Sequence, residues 1–297
     1  MKHILSILAL LILNNLSQGQ NLQNEFDKYF QEGDTIKQLK TLKKWENIEP
    51  DNAELFTSYF NYYFSISRQE ILSLTTNQPD GESLSLKDST GNTAGYIGSE
   101  FIYNTPNLEK CFKKIDQGIS LYPNRLDMRF GKIYALGQIK DWEKFTDEIV
   151  KTIRYSSKNS NQWTWTNNEK RDNGEAFFLS SLQNYQLSLY NTGNDDLLIN
   201  MRTIATEILK LYPNHIESLS NLSITYLLTG EYDKGIDALL KAEKINSNDG
   251  VVLSNIAHGY KLKGDIDNSI KYYQKMLELD DPQAKEFAKQ QIKALKK

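Results

Sequence analysis

Apolar residues in the last third of the chain return at every third or fourth position, the spacing that lines one face of an α-helix. Leu219, Leu222, Ser223 and Tyr226 mark one such face, and Gly235, Leu239 and Ala242 mark a second, with Gly230 between them to permit a turn. The pattern comes back 34 residues later: Leu253, Ile256, Ala257 and Tyr260, then Gly264, then Ser269, Tyr273 and Met276. Asn221 and Asn255, Asp233 and Asp267, and Ile236 and Ile270 hold the same register. A fixed interval of this size predicts stacked helix pairs, none of which can bury its apolar side without a neighbour. Gly235, Ala257 and Ser269 fall where two helices must cross closely, so bulk there would force them apart.

Upstream the pattern fades and its punctuation persists. Gly33 precedes Pro50 by 17 residues, as Gly230 precedes Ser247 and Gly264 precedes Asp281. The phrase Leu-Tyr-Pro-Asn ends a helix at 121–124 and again at 211–214. Two intervals are too long for one repeat and locate insertions. The first, about 75–105, alternates apolar and polar residues over Ser83–Lys87, turns at Asp88–Asn92 and alternates again at Ala94 and Tyr96, which predicts a β-hairpin. Leu84 and Leu86 on it either pack on neighbouring helices or form an exposed docking edge. The second, 158–174, is rich in asparagine, and its Trp163 and Trp165 share a side only in an extended segment. After Pro282, Ala284, Phe287, Ala288, Ile292 and Leu295 line one side of a last helix whose other side is polar, as a capping helix requires.

The two clear units resemble tetratricopeptide repeats of the exported bacterial type. Leu219-x2-Leu222-Ser223-x2-Tyr226 and Leu253-x2-Ile256-Ala257-x2-Tyr260 carry the first half of that motif, with Leu in place of Trp. Gly235-x3-Leu239 and Ser269-x3-Tyr273 carry the second half, and the closing proline is replaced by Ser247 and by Asp281 ahead of Pro282. The resemblance implies an all-α fold, a right-handed α-α superhelix with one inserted β-hairpin. The expected segments are a signal peptide at 1–19, a degenerate repeat at 20–52 and a repeat at 53–124 holding the hairpin. A repeat at 125–157, the Trp/Asn-rich insertion at 158–174 and a repeat at 175–214 come next. Two repeats at 216–249 and 250–283 and a cap at 284–297 follow.

The leader reading rests on Lys2, the apolar run from Ile4 to Leu13, and Ser17-Gln18-Gly19 as small residues before a cut between Gly19 and Gln20. The run is too short to span a bilayer, so a soluble exported protein, periplasmic or secreted, is expected. The formal charge of −3 becomes −4 once Lys2 is removed, and the basic residues are dispersed, which argues against nucleic acid as a partner. Cys111 is the single cysteine and cannot form an internal bridge; beside Leu108, Ile115 and Ile119 it reads as a small core hydrophobe.

No cluster typical of catalysis is present, and no metal or cofactor is expected: His215 and His258 lie far apart, and no glycine-rich phosphate loop or nucleophile elbow occurs. The doublets Asp195-Asp196 and Asp280-Asp281 stand at helix boundaries, where capping accounts for them. The protein therefore reads as a non-enzymatic interaction scaffold. The resemblance places a peptide segment or partner helix in a groove lined by first helices: Ser220, Asn221, Ile224 and Leu228, then Ser254, Asn255, His258 and Leu262. Asn221 and Asn255 can each donate to and accept from a peptide backbone, or simply help their helices pack. The alternative function is glycan or surface-polymer binding, with Trp163 and Trp165 as a stacking platform; the competing reading folds both rings onto a seam between repeats.

Overall fold

The computed structural model describes residues 19–79 and 81–296. Residues 1–18, which carry nearly all of the leader reading, lie outside the described residues. The described part is helical from Gly19, and its helices form two compact units.

Unit 1 comprises 19–141 and 162–171. It begins with α1 (19–31) and α2 (Thr35–Ile48), between which Gly33 takes a φ of 70° and Asp34 caps α2 by accepting from the Lys37 N–H. Next comes α3 (Ala53–Ser67), which buries apolar residues on two sides. One side, with Leu55, Tyr59 and Tyr62, packs on Phe26, Leu42 and Trp45; the other, with Phe56 and Phe60, packs on Cys111, Ile115 and Met128. The latter residues belong to α4 (Thr105–Leu121) and α5 (Leu126–Gln138).

Between α3 and α4 stands a three-stranded antiparallel sheet: β1 (Arg68–Thr75), β2 (Ser83–Lys87) and β3 (Thr93–Tyr103), in the order β1-β3-β2. The expected hairpin is β2–β3, turned by Asp88, whose Oδ1 accepts from the N–H groups of Thr90 and Asn92 at 2.8 and 2.9 Å. The expectation of a hairpin alone is corrected by β1, which starts without a break from α3 and pairs along β3 from Tyr96 to Tyr103. The insertion closes on itself, since the Asn104 N–H donates to the Ser67 carbonyl at 2.8 Å. Leu84 and Leu86 are not packed: they are 71% and 37% exposed, and share a sheet face with Leu72 and Leu74 at 79% and 71%.

Unit 2 comprises 142–161 and 172–296. Its helices are α6 (Trp142–Lys158), α7 (Gly174–Tyr190), α8 (Leu198–Leu211), α9 (Ile216–Leu228), α10 (Tyr232–Ile245), α11 (Gly250–Lys263), α12 (Ile266–Met276) and α13 (Pro282–Leu295). From α7 onward each helix packs on the next. Gly230 and Gly264 turn the backbone with φ of 78° and 85°, a region that a side chain would strain. A Cβ on Gly235 would lie 2.8 Å from Leu227 Cδ2, and Ala257 and Ser269 are fully buried, so the close crossings fall where the small residues predict them. Tyr226 and Tyr260 lie in matching places: Tyr260 stacks on Tyr272 at 5.7 Å, while Tyr226 lines a hollow with Ala238, the residue 34 before Tyr272. Asp281 caps α13 by accepting from Gln283 and Ala284, and Ala288 is buried against the preceding pair. The cap near Asp195-Asp196 is supplied instead by Asn194, which accepts from the Asp196 N–H.

The expected repeat at 125–157 supplies α5 to unit 1 and α6 to unit 2. The Leu-Tyr-Pro-Asn phrase has the same backbone twice, with Tyr122 at φ −124°, ψ 64° and Tyr212 at φ −126°, ψ 69°. Proline disfavours the helical conformation in the residue before it, so each helix ends at the Leu, one residue ahead of that Tyr.

Candidate functional site

A groove of about 850 Å³ opens in unit 2 along α7, α9 and α11, the first helices of three consecutive pairs. Each helix contributes an asparagine: Asn184, Asn221 and Asn255. Gln183, Asn184 and Leu187 of α7 answer Ser220, Asn221 and Ile224 of α9 at an offset of 37 residues, one repeat plus three. Asn184 escapes a search at the strict period because of those three extra residues. The α7–α9 seam is knit by Asn221 Nδ2, which donates to Gln183 Oε1 at 2.6 Å. Leu187, Ile224, Val251 and Val252 give the groove apolar ground among the carboxamides. Such a surface can bury apolar side chains of an extended peptide and exchange hydrogen bonds with its amide groups.

Of the residues expected to line a groove, Ser220, Asn221, Ile224 and Asn255 are brought together here. Leu228 lines a smaller neighbouring hollow of about 270 Å³. Ser254, His258 and Leu262 line neither, and the last two are exposed. His215, not singled out for this role, is a groove residue: its Nδ1 is 2.8 Å from Ser218 Oγ and its Nε2 is 3.2 Å from Glu217 Oε2. Burial pulls its pKa below the ordinary histidine value, against the opposing pull of Glu217 and Glu175. Burial thus disfavours the charged form of the ring.

The Trp-bearing insertion is built for packing. Trp163 is fully buried, leaving no ring face for a sugar, and Trp165 meets Phe130 edge-on at 6.3 Å with the Arg171 guanidinium 5.5 Å from its ring. Trp163 thus offers no stacking face, while Trp165 is half-buried. Its asparagines meet a backbone need: Asn161, Asn167, Asn168 and Asn173 all adopt positive φ, which asparagine tolerates better than most residues. The segment is held to unit 1 by Thr164, whose N–H donates to the Asn124 carbonyl at 2.9 Å and whose carbonyl accepts from the Leu126 N–H at 3.0 Å.

Beside it lies a buried ion cluster that sequence reading missed. The Arg125 guanidinium, 1% exposed, donates to both oxygens of Glu54, at 2.5 and 3.2 Å, and to both of Asp127, at 2.8 and 2.7 Å. Glu54 also accepts from the Asn167 N–H at 2.7 Å. Burial works against the charge on Arg125, yet its hydrogen bonds to Asp127 and Glu54 outweigh it and raise its pKa. The two carboxylates lie 71 and two positions from Arg125 in sequence, so no local pattern announces the cluster. Cys111 is fully buried, its Sγ 3.5 Å from the Phe60 carbonyl, and burial pushes its thiol up to about 12. Among the described residues no group of three or more His, Cys, Asp or Glu is placed to hold a metal ion, and no helix is long and apolar enough to cross a membrane.

Residues 216–249 and 252–282 match the tetratricopeptide repeat family model. These two units are tetratricopeptide repeats. In the same unit the α7–α8 pair packs against the first of them. Several solved structures are similar to the protein. A MamA protein is 15% identical, with 88% of this sequence and 90% of that one covered at a TM-score of 0.31. YrrB, described as a TPR protein with an unusual peptide-binding site, is 12% identical over 84% of this sequence and 97% of its own, at 0.41. PilF from Pseudomonas aeruginosa is 10% identical over 93% and 99%, at 0.38. No curated protein matches the sequence.

Proposed function

We propose that the protein is a non-enzymatic, exported interaction scaffold that holds an extended peptide segment of a partner protein in the groove of its tetratricopeptide repeats. The observation that carries this reading is the row of Asn184, Asn221 and Asn255, one from each of three successive first helices, along a groove with apolar ground. A strand-like peptide presents donors and acceptors at regular intervals, and spaced carboxamides match that regularity without requiring a particular sequence. Export rests on the leader reading of the first nineteen residues.

The test compares the wild type with the triple variant Asn184→Ala, Asn221→Ala, Asn255→Ala in selection from a displayed random peptide library, followed by titration of the winners. Selected peptides should lose at least tenfold in affinity for the variant. Its melting temperature should fall by no more than a few degrees, since the replaced groups are partly exposed and one internal hydrogen bond contributes about 1 kcal/mol. Equal affinity for both proteins would reject the groove.

A further inference from the structure

The ionisable side chains that line the groove are unevenly distributed in sign. No lysine or arginine stands among the side chains that line it, whereas Glu217 and Asp249 both do. The starts of α9 and α11 face the same space, and a helix start is a positive pole that ordinarily welcomes an anion. The pole of α11 is already answered from within, and the start of α9, which has no side-chain cap, carries a carboxylate in its first turn. Asp249 caps α11 by accepting from the N–H groups of Val251 and Val252 at 3.0 and 3.1 Å, and Glu217 occupies the first turn of α9. His215, the histidine lining the groove, is disfavoured as a cation by its burial.

An incoming carboxylate would therefore give up its water to meet two like charges, with the start of α11 already capped. An incoming ammonium or guanidinium would meet Glu217, whose side chain is 65% exposed and reachable from solvent. Leu187, Ile224 and Val251 provide apolar ground alongside.

Building on the groove reading above, we propose that the ligand is an internal stretch of an extended polypeptide that combines apolar side chains with a lysine or arginine, and that the groove turns away acidic segments and free carboxyl termini. The discrimination depends on salt, because an exposed carboxylate is screened within about 8 Å at physiological ionic strength.

The full-length protein is used to select from a displayed random dodecapeptide library, in parallel with Glu217→Gln/Asp249→Asn, in which asparagine keeps the cap of α11. Wild-type winners should be enriched in Lys and Arg beside apolar residues and depleted in Asp and Glu. In titrations at low salt, changing the basic residue of a winner to Glu should weaken binding at least fivefold. The Glu217→Gln/Asp249→Asn variant should lose most of that ratio, and amidating the peptide's carboxyl terminus should not weaken binding. Winners rich in Asp or Glu, tighter binding of the free acid than of the amide, or an unchanged Lys-to-Glu ratio in the variant would overturn the charge rule while leaving the groove standing. Absence of any enrichment, or winners indifferent to Asn184→Ala, Asn221→Ala, Asn255→Ala, would overturn both.

Discussion

At the scale of single residues, Arg125 shows how a charge can be kept inside a protein. Its guanidinium is nearly inaccessible, and two carboxylates close on its planar fork from different directions. Replacing it with methionine removes the group that bridges Glu54 and Asp127 and leaves buried negative charge behind. The expected loss is about 3–5 kcal/mol of unit 1 stability, read as a lower urea midpoint. Adding Glu54→Gln should recover part of that loss, because the stranded charge is then removed; a midpoint that does not move in Arg125→Met would mean the cluster contributes nothing. Such a cluster is invisible in a linear reading, where Glu54 stands 71 positions from Arg125. What was legible at this scale is what depends on local spacing: Cys111 in the core beside Ile115, and Asp281 as a cap.

At the scale of elements, small residues were the most readable feature because their role follows from register alone. Gly235 lies where α10 crosses α9, with a virtual Cβ 2.8 Å from Leu227 Cγ and 3.2 Å from the Ser223 carbonyl. Gly235→Val should cost about 1–3 kcal/mol through overpacking, seen as a drop in thermal midpoint. A variant as stable as the wild type would show that the crossing has slack. The turns at Gly33, Gly230 and Gly264 were equally legible, since positive φ leaves few alternatives. Strand β1 was not. Ile71 and Leu72 are adjacent and blur the alternation, and neither glycine nor proline marks the change from helix to strand after Ser67. The groove was half legible: α9 and α11 obey the 34-residue interval, whereas α7 is displaced by three residues and hid Asn184.

At the scale of the molecule, the connectivity is the informative feature. The polypeptide builds unit 1 through residue 141, gives α6 to unit 2, returns to unit 1 for 162–171 and then completes unit 2. Trp163 is thus buried next to Thr164, whose backbone pairs with residues 124 and 126, a whole helix earlier in sequence. Trp163→Ala should lower unit 1 stability by about 3–5 kcal/mol and speed alkylation of the buried Cys111 thiol at least tenfold, measured by mass spectrometry in native buffer. Unchanged protection of Cys111 would place the two residues in separately opening regions. The same connectivity orders assembly. With α3 and α5 in place Arg125 has its carboxylates, but Glu54 still lacks the amide of Asn167, which lies beyond α6 in sequence. Closure of the amino-terminal half thus depends on a later stretch, and until that stretch docks the half-built unit is open to wrong partners.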